Sequence, residues 1–272
     1  MKIGYVHIPK CAGSALSWAI HESLGLRRVH ISAMSDQPSE NDPHQLVWGS
    51  LAFAFARNSP FISGHTSYSE MKRLDRDFIF TVLRDPRERL FSWFTYNRAR
   101  AMDPQVIERH PELIKRRDQC FVEALNDAVD INPLATRLLK DRMNPEDLRR
   151  MAEDQAHDES TLEQKRSVIR NALKRFDQVY CGPDLQDVLD RLVGDAGIPP
   201  TLANVRNTSE KQPSYEIGCS HTEFCEVVDR YTWMDCLLYR EAARVFKHNP
   251  FAPLKSMDEF VHRITTRFDL AL

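Results

Sequence analysis

Ile3-Gly4-Tyr5-Val6-His7-Ile8-Pro9-Lys10-Cys11-Ala12-Gly13-Ser14-Ala15 is a run of β-favouring residues that stops at a proline and turns helical. Ile3 to Ile8 has the apolar, β-branched character of a buried strand, and Pro9 ends it because its nitrogen cannot donate to a sheet ladder. Gly13 is read as the residue that lets the chain fold tightly, and Ser14 as the N-cap of a helix running through Leu16, Trp18, Ala19 and Ile20. Strand, loop and helix in that order make an anion cradle, where amide N–H groups, the helix dipole and the Lys10 ammonium converge. Here the lysine precedes the glycine, so this is not the Gly-x-x-x-x-Gly-Lys-[Ser/Thr] loop of nucleoside triphosphatases. Alone, the motif also admits an ordinary strand-to-helix turn with a solvated lysine.

A second stretch, Phe78-Ile79-Phe80-Thr81-Val82-Leu83, reads as a strand buried on both faces and leads straight into Arg84-Asp85-Pro86-Arg87-Glu88-Arg89-Leu90-Phe91-Ser92-Trp93-Phe94. Asp85 is expected to cap a helix, Pro86 to take its first position and Glu88 to close the capping box. Arg84 then stands at the carboxyl end of a strand and Ser92 lies two turns into the helix. A guanidinium fork and a hydroxyl so placed can meet on one phosphate. Taken by itself, Arg84 could instead pair with Asp85 or a neighbouring carboxylate.

Together the two segments resemble the sulfotransferases that use 3′-phosphoadenosine 5′-phosphosulfate (PAPS), particularly the glycan-modifying, heparan sulfate 2-O type branch. His-Ile-Pro-Lys-x-Ala-Gly-Ser is similar to that family's 5′-phosphosulfate loop, and Arg-Asp-Pro-x-x-Arg-x-x-Ser-x-Phe to its 3′-phosphate segment. Asn132-Pro133-Leu134-Ala135-Thr136-Arg137, the segment from Phe176 to Gly182, and Asp235-Cys236-Leu237-Leu238-Tyr239 are similar to weaker landmarks. The resemblance implies a three-layer α/β sandwich with a mostly parallel central sheet, of the P-loop NTPase-like sulfotransferase fold. It implies that Lys10 and the amides of Cys11, Ala12, Gly13, Ser14 and Ala15 hold the phosphosulfate, while Arg84 and Ser92 hold the 3′-phosphate. Gly64-His65 matches the Gly-His that carries the catalytic base in the 2-O branch, with Ser63 where that branch has another histidine. Cys11 stands where threonine is commoner. The acceptor implied is a hydroxyl, expected on a carbohydrate, and no metal is required.

At 272 residues with 42% apolar content, the chain suits one α/β domain over residues 1–272. A formal charge of −2 gives no case for general nucleic-acid or membrane binding, although arginines concentrate between Arg84 and Arg117. No apolar run reaches membrane-spanning length, no signal-peptide pattern opens the sequence, and six scattered cysteines suit reduced thiols, so the expected location is the cytoplasm. Cys219-x-His221-x-x-x-Cys225 offers too few close ligands for a convincing metal site.

Strands are expected near residues 3–8, 60–64, 78–83 and 176–181, with a short one over 27–31. In an open parallel sheet the carboxyl ends of strands line the ligand crevice, which would bring His65 to Lys10 and Arg84. Helices are expected from His44 through Phe55, from Pro86 past Tyr96, as one or two pieces over 105–129, from Leu162 to Leu173, and from Pro183 to Val193. A further helix is expected to be capped by Thr232 with Asp235. The charged stretch 141–166 reads as a mobile helix or lid and 206–213 as a polar loop, which the resemblance implies closes near the cofactor. Two other functions stay open: a kinase-like enzyme using ATP on the same fold, and a PAPS- or glycan-binding module without catalysis.

Overall fold

The computed structural model describes residues 1–26, 30–32, 45–46, 54, 56–127, 132–154, 158–181, 185–200, 219–247 and 253–268. The strands are β1 (Ile3–Val6), β2 (His30–Ser32), β3 (Gln45–Leu46), β4 (Phe61–His65), β5 (Phe78–Leu83) and β6 (Gln178–Cys181). They form one sheet in the order β3-β2-β4-β1-β5-β6, and every neighbouring pair is parallel. The fold class is therefore α/β with a parallel central sheet. The helix expected from His44 is corrected at its start, because Gln45 and Leu46 pair with His30 and Ile31. Most of the remainder of that stretch, and the polar loop 206–213, lie outside the described residues.

The helices are α1 (Gly13–Ser23), α2 (Tyr68–Arg73), α3 (Pro86–Ala101), α4 (Pro104–Arg109), α5 (Phe121–Asn126), α6 (Pro133–Leu139), α7 (Pro145–Glu153), α8 (Glu159–Leu173), α9 (Leu185–Ala196), α10 (His221–Val245) and α11 (Met257–Phe268). Alternation along the strands decides what each face meets. Tyr5, Phe61, Phe80 and Tyr180 pack with Leu16 and Ile20 of α1 and Leu189 and Leu192 of α9. Val6, Ile62, Ile79, Leu83 and Val179 pack with Leu138 of α6, Ile169 and Leu173 of α8, and Leu238 of α10. Helices thus cover both faces, which suits a three-layer arrangement. Each such side chain, fully buried, contributes about 1.5–3 kcal/mol relative to exposure, so the sheet and its two helical layers hold one another in register. A separate aromatic cluster of Phe91, Phe94, Phe121, Phe224 and Phe260 ties α3, α5, α10 and α11 together.

Several expectations change. Residues 105–129 form α4, a 3₁₀ turn over Pro111–Arg116 and α5, because Pro111 interrupts the pattern; Ile114 is half exposed while Phe121 and Leu125 are core. The stretch 141–166 includes α7, whose Leu148, Met151 and Ala152 are buried in the main core, so this segment packs down instead of standing off as a lid. α9 passes through Gly194, and Gly197 (φ 61°) supplies the left-handed turn beyond it. α10 begins at a Ser220 cap and continues through Thr232, whose hydroxyl donates back to the Val228 carbonyl at 2.8 Å. The cap signal at Thr232 nevertheless falls where another segment contacts the helix backbone. The side chain of Asn132 reaches into α10, its Oδ1 accepting from Met234 N (2.8 Å) and Asp235 N (3.1 Å), while the backbone N–H of Asn132 donates to Tyr231 O (3.1 Å).

Because the strands are parallel, the segments after β1, β4 and β5 leave the sheet at one edge. β1 lies between β4 and β5, and the chain runs first to one side of it and then to the other. In open parallel sheets the ligand crevice lies at such a reversal, here at the carboxyl ends of these three strands.

Candidate anion-binding and proton-transfer site

Lys10 (φ 68°) and Ala12 (φ 59°) both adopt the left-handed backbone without being glycine. Such residues cost of order 1–3 kcal/mol each and persist where the surroundings fix them. Ala12 occupies the cap position of α1 and no side chain caps it, which corrects Ser14 from N-cap to a residue of the first turn. The role of Gly13 is corrected too. Its φ is not in the left-handed region; it is glycine because a Cβ there would fall 1.8 Å from Cδ2 and 2.0 Å from Nε2 of His7. Cys11 is buried and its amide donates to Ile8 O at 3.3 Å, so it is withdrawn from the set of amides facing an anion. The first helical bond is Leu16 N to Ala12 O, and the amides of Gly13, Ser14 and Ala15 have no acceptor within the helix.

Three cations gather at this loop. Burial lowers the Lys10 ammonium to a pKa of about 8, and the nearby positive charges of Arg84 and Arg89 push it in the same direction. Arg89 is buried, and its Nε donates to Pro9 O at 3.1 Å, fastening α3 to the loop. Like charges held together in a partly dry place are unfavourable until something negative joins them, which is the electrostatic signature of an anion site. Lys10 Nζ lies 3.9 Å from the centre of the Tyr96 ring.

At the start of α3, Asp85 caps through its Oδ1, accepting from Arg87 N (3.0 Å) and Glu88 N (3.3 Å), with Pro86 at the first position as expected. Glu88 does not close a box back onto Asp85. Its carboxylate lies 3.5 Å from Arg84 Nε and also takes Lys255 Nζ and Arg263 Nη1. Arg84 therefore pairs with Glu88, as the simpler reading of that segment allowed. Ser92 is half-buried one helical turn beyond Glu88 on the same side of α3, so Glu88 stands between the two residues expected to share a phosphate.

His65 ends β4 beside β1. Its Nδ1 lies 2.9 Å from the His7 carbonyl, which can only accept, so Nδ1 carries the proton and Nε2 keeps its lone pair. Burial lowers the pKa of His65, the bond to the His7 carbonyl partly offsets this, and the charge of Arg137 lowers it further. Arg137 of α6 donates to His65 O at 3.1 Å, pinning the strand end from the opposite layer. The Ser63 hydroxyl, where the resembling branch has a second histidine, is 2.6 Å from Ser17 Oγ and is committed to packing α1 on the sheet.

Sequence reasoning left three participants without roles. His7 was part of the first strand run, but its register opposite His65 is tertiary information. Arg89 was the second arginine of its motif, with nothing to show that it would reach Pro9. Asp235 was read only as the partner of Thr232 in a helix cap, with no part in the site. It is fully buried and accepts from Leu134 N (3.1 Å) and Ala135 N (2.8 Å) at the start of α6, with its pKa raised to about 7 by burial against a lowering by Arg89. The signal for it was an aspartate inside an apolar helical face.

Cys225 Sγ lies 3.9 Å from the His221 ring nitrogens, and among the described residues no group of three His, Cys, Asp or Glu side chains is arranged to hold a metal. No described helix is long and apolar enough to cross a membrane. No family model matches the sequence, and a search of curated proteins also finds no match.

Proposed function

We propose that this protein moves a sulfuryl group from PAPS to a hydroxyl of an acceptor, expected on a carbohydrate, using a P-loop-type sulfotransferase fold. One observation carries the reading: an anion cradle made of Lys10, Arg84, Arg89 and the first amides of α1 shares the sheet edge with a histidine held in the tautomer that leaves Nε2 basic. The reading calls for a donor with two separated anionic groups: Lys10 and the amides of Gly13, Ser14 and Ala15 would hold one, and Arg84 with Ser92 the other once Arg84 leaves Glu88.

PAPS supplies an activated sulfur bonded to a phosphate oxygen. His65 Nε2 takes the proton of the acceptor hydroxyl as its oxygen forms the new bond to sulfur. The breaking bond leaves its electron pair on the 5′-phosphate oxygen, where Lys10 and the α1 amides stabilise the growing negative charge. The products are a sulfate ester and 3′-phosphoadenosine 5′-phosphate, and the proton on His65 is returned to water. Six free thiols suit a reducing compartment.

The test is incubation with PAPS and a glycan extract, followed by mass spectrometry for the added sulfate and for 3′-phosphoadenosine 5′-phosphate. Sulfated product with the wild type and its loss in Lys10→Ala and His65→Ala is the expected result. Turnover of ATP in the presence of magnesium, with no sulfated product, would replace this reading by the kinase-like one. Donor binding without transfer to any of a wide panel of hydroxyl acceptors would leave a binding module.

A further inference from the structure

We infer that the imidazole of His7 is a positioning residue for His65: it is the wall that fixes the ring presenting Nε2 at the sheet edge. The role given to His65 rests on the sulfuryl-transfer reading; the packing that holds its ring does not.

The register of β1 with β4 sets Val6 opposite Gly64, so positions 7 and 65 fall side by side where the strands end. The two rings lie 4.4 Å apart between centroids at 31°, and Tyr5, two residues back on the same strand face, stacks on His7 at 5.6 Å and 21°. His7 is buried, with 6% of its surface exposed, and the chain keeps Gly13 where any Cβ would run into this ring. One residue therefore restrains His65 twice. The backbone carbonyl of His7 accepts from Nδ1, and its side chain holds the His65 ring in the plane where Nδ1 reaches that carbonyl, so a single tautomer needs both. Among the described residues, His7 just beyond β1 and Arg137 of α6 are titratable or charged groups beside His65. Two imidazoles in contact beside a guanidinium do not both take a proton at low cost, so the pair favours a neutral His65. A side chain that only filled the core would leave the tautomer and titration of His65 unchanged once removed.

Ring-nitrogen NMR of ¹⁵N-labelled protein reads this directly, with the His65 signals identified by their loss in His65→Asn. Wild type should show the Nδ1-protonated tautomer and a titration midpoint below the ordinary 6.5. In His7→Ala the tautomers should mix and the midpoint should rise, and kcat should fall roughly 10–100-fold with KM for PAPS little changed, the usual result of misplacing a catalytic group. His7→Phe, which keeps a flat ring in the slot, should restore the tautomer and most of the rate. Gly13→Ala, which must displace the His7 ring, should disturb His65 in the same way. A folded His7→Ala protein whose His65 tautomer and midpoint match wild type overturns the inference. If His7→Ala does not fold, identical His65 signals in His7→Phe and His7→Gln overturn it equally. A protein that transfers no sulfuryl group still gives the NMR result, so the two failures are told apart.

Discussion

The ammonium of Lys10 rests on the face of Tyr96, 3.9 Å from the ring centre, while 46% of that tyrosine's surface remains exposed. A cation on an exposed ring gains about 0.5–1 kcal/mol, whereas a charge-assisted hydrogen bond to an anion gains about 1.5–3 kcal/mol. Phosphate therefore outcompetes the ring, and Lys10 is expected to leave Tyr96 when an anion enters the cradle.

That exchange carries a proton. With a pKa of about 8 in the free protein, Lys10 is only partly charged at pH 8, and an anion beside it raises that value. Binding of adenosine 3′,5′-bisphosphate at pH 8 should take up a fraction of a proton, and its affinity should fall as pH rises through 8 and beyond. Calorimetry in buffers of different ionisation heat measures this. The uptake should vanish in Lys10→Ala, whose turnover should drop by about 10²–10³. Equal heats in all buffers would remove Lys10 from the anion site.

Arg84→Ala and Ser92→Ala should weaken nucleotides bearing a 3′-phosphate far more than those without one. For Arg84 the selective loss should be about 1.5–3 kcal/mol, the worth of a charge-assisted contact. Titration with adenosine 5′-phosphate and adenosine 3′,5′-bisphosphate side by side decides it; equal losses would leave Arg84 as the structural partner of Glu88.

His65→Ala and His65→Asn should each lower transfer by about 10²–10⁴ while PAPS binding is largely kept. A base whose pKa is lowered stays unprotonated to more acidic pH, so the acid limb of kcat/KM in wild type should lie below the ordinary histidine value of 6.5. An acid limb well above that value, or full activity in either folded variant, would assign the base elsewhere.

Asp235 gives a stability prediction. Its folded value of about 7 exceeds the free carboxyl's 3.8, so between these pH values the folded chain holds a proton that the unfolded chain releases. Its contribution to stability therefore falls as pH rises from about 4 to about 7 and is level above that. Urea unfolding at pH 5 and pH 8 should show a larger loss on going to pH 8 in wild type than in Asp235→Asn. The variant should also be less stable at pH 5, because Leu134 N and Ala135 N meet different oxygens of Asp235, and asparagine puts an NH2 donor in place of one of them. Parallel pH dependence in the two proteins would contradict the raised value.

The long apolar runs made β1, β4, β5 and β6 readable, because a strand buried on both faces leaves little choice of residue. β3 was not readable: a two-residue strand is defined by its partner, and Gln45-Leu46 adjoin a helical pattern. At the site, residue types placed Lys10, His65 and Arg84 at one sheet edge, and topology puts the ends of β1, β4 and β5 there. What local sequence could not carry was competition for partners. Cys11 has an amide like its neighbours until Ile8 O claims it, and Glu88 fits a capping box until residues far along the chain draw it away. Gly13 was noticed for backbone freedom, when what it supplies is an empty space for a ring six positions earlier.

The contacts made by Lys255 have a consequence for biosynthesis. Its amide donates to Asp85, its carbonyl accepts from Arg87, and its ammonium joins Arg263 on Glu88. The first turn of α3, next to Arg84, thus receives its closing contacts from a residue 170 positions beyond Asp85 and 168 beyond Arg87. While the nascent chain is still short of Lys255, Glu88 has neither distant cation and is left with Arg84. A chain that stops before Lys255 would carry Lys10, His65 and Arg84 and still lack the contacts that hold Asp85, Arg87 and Glu88 from outside α3.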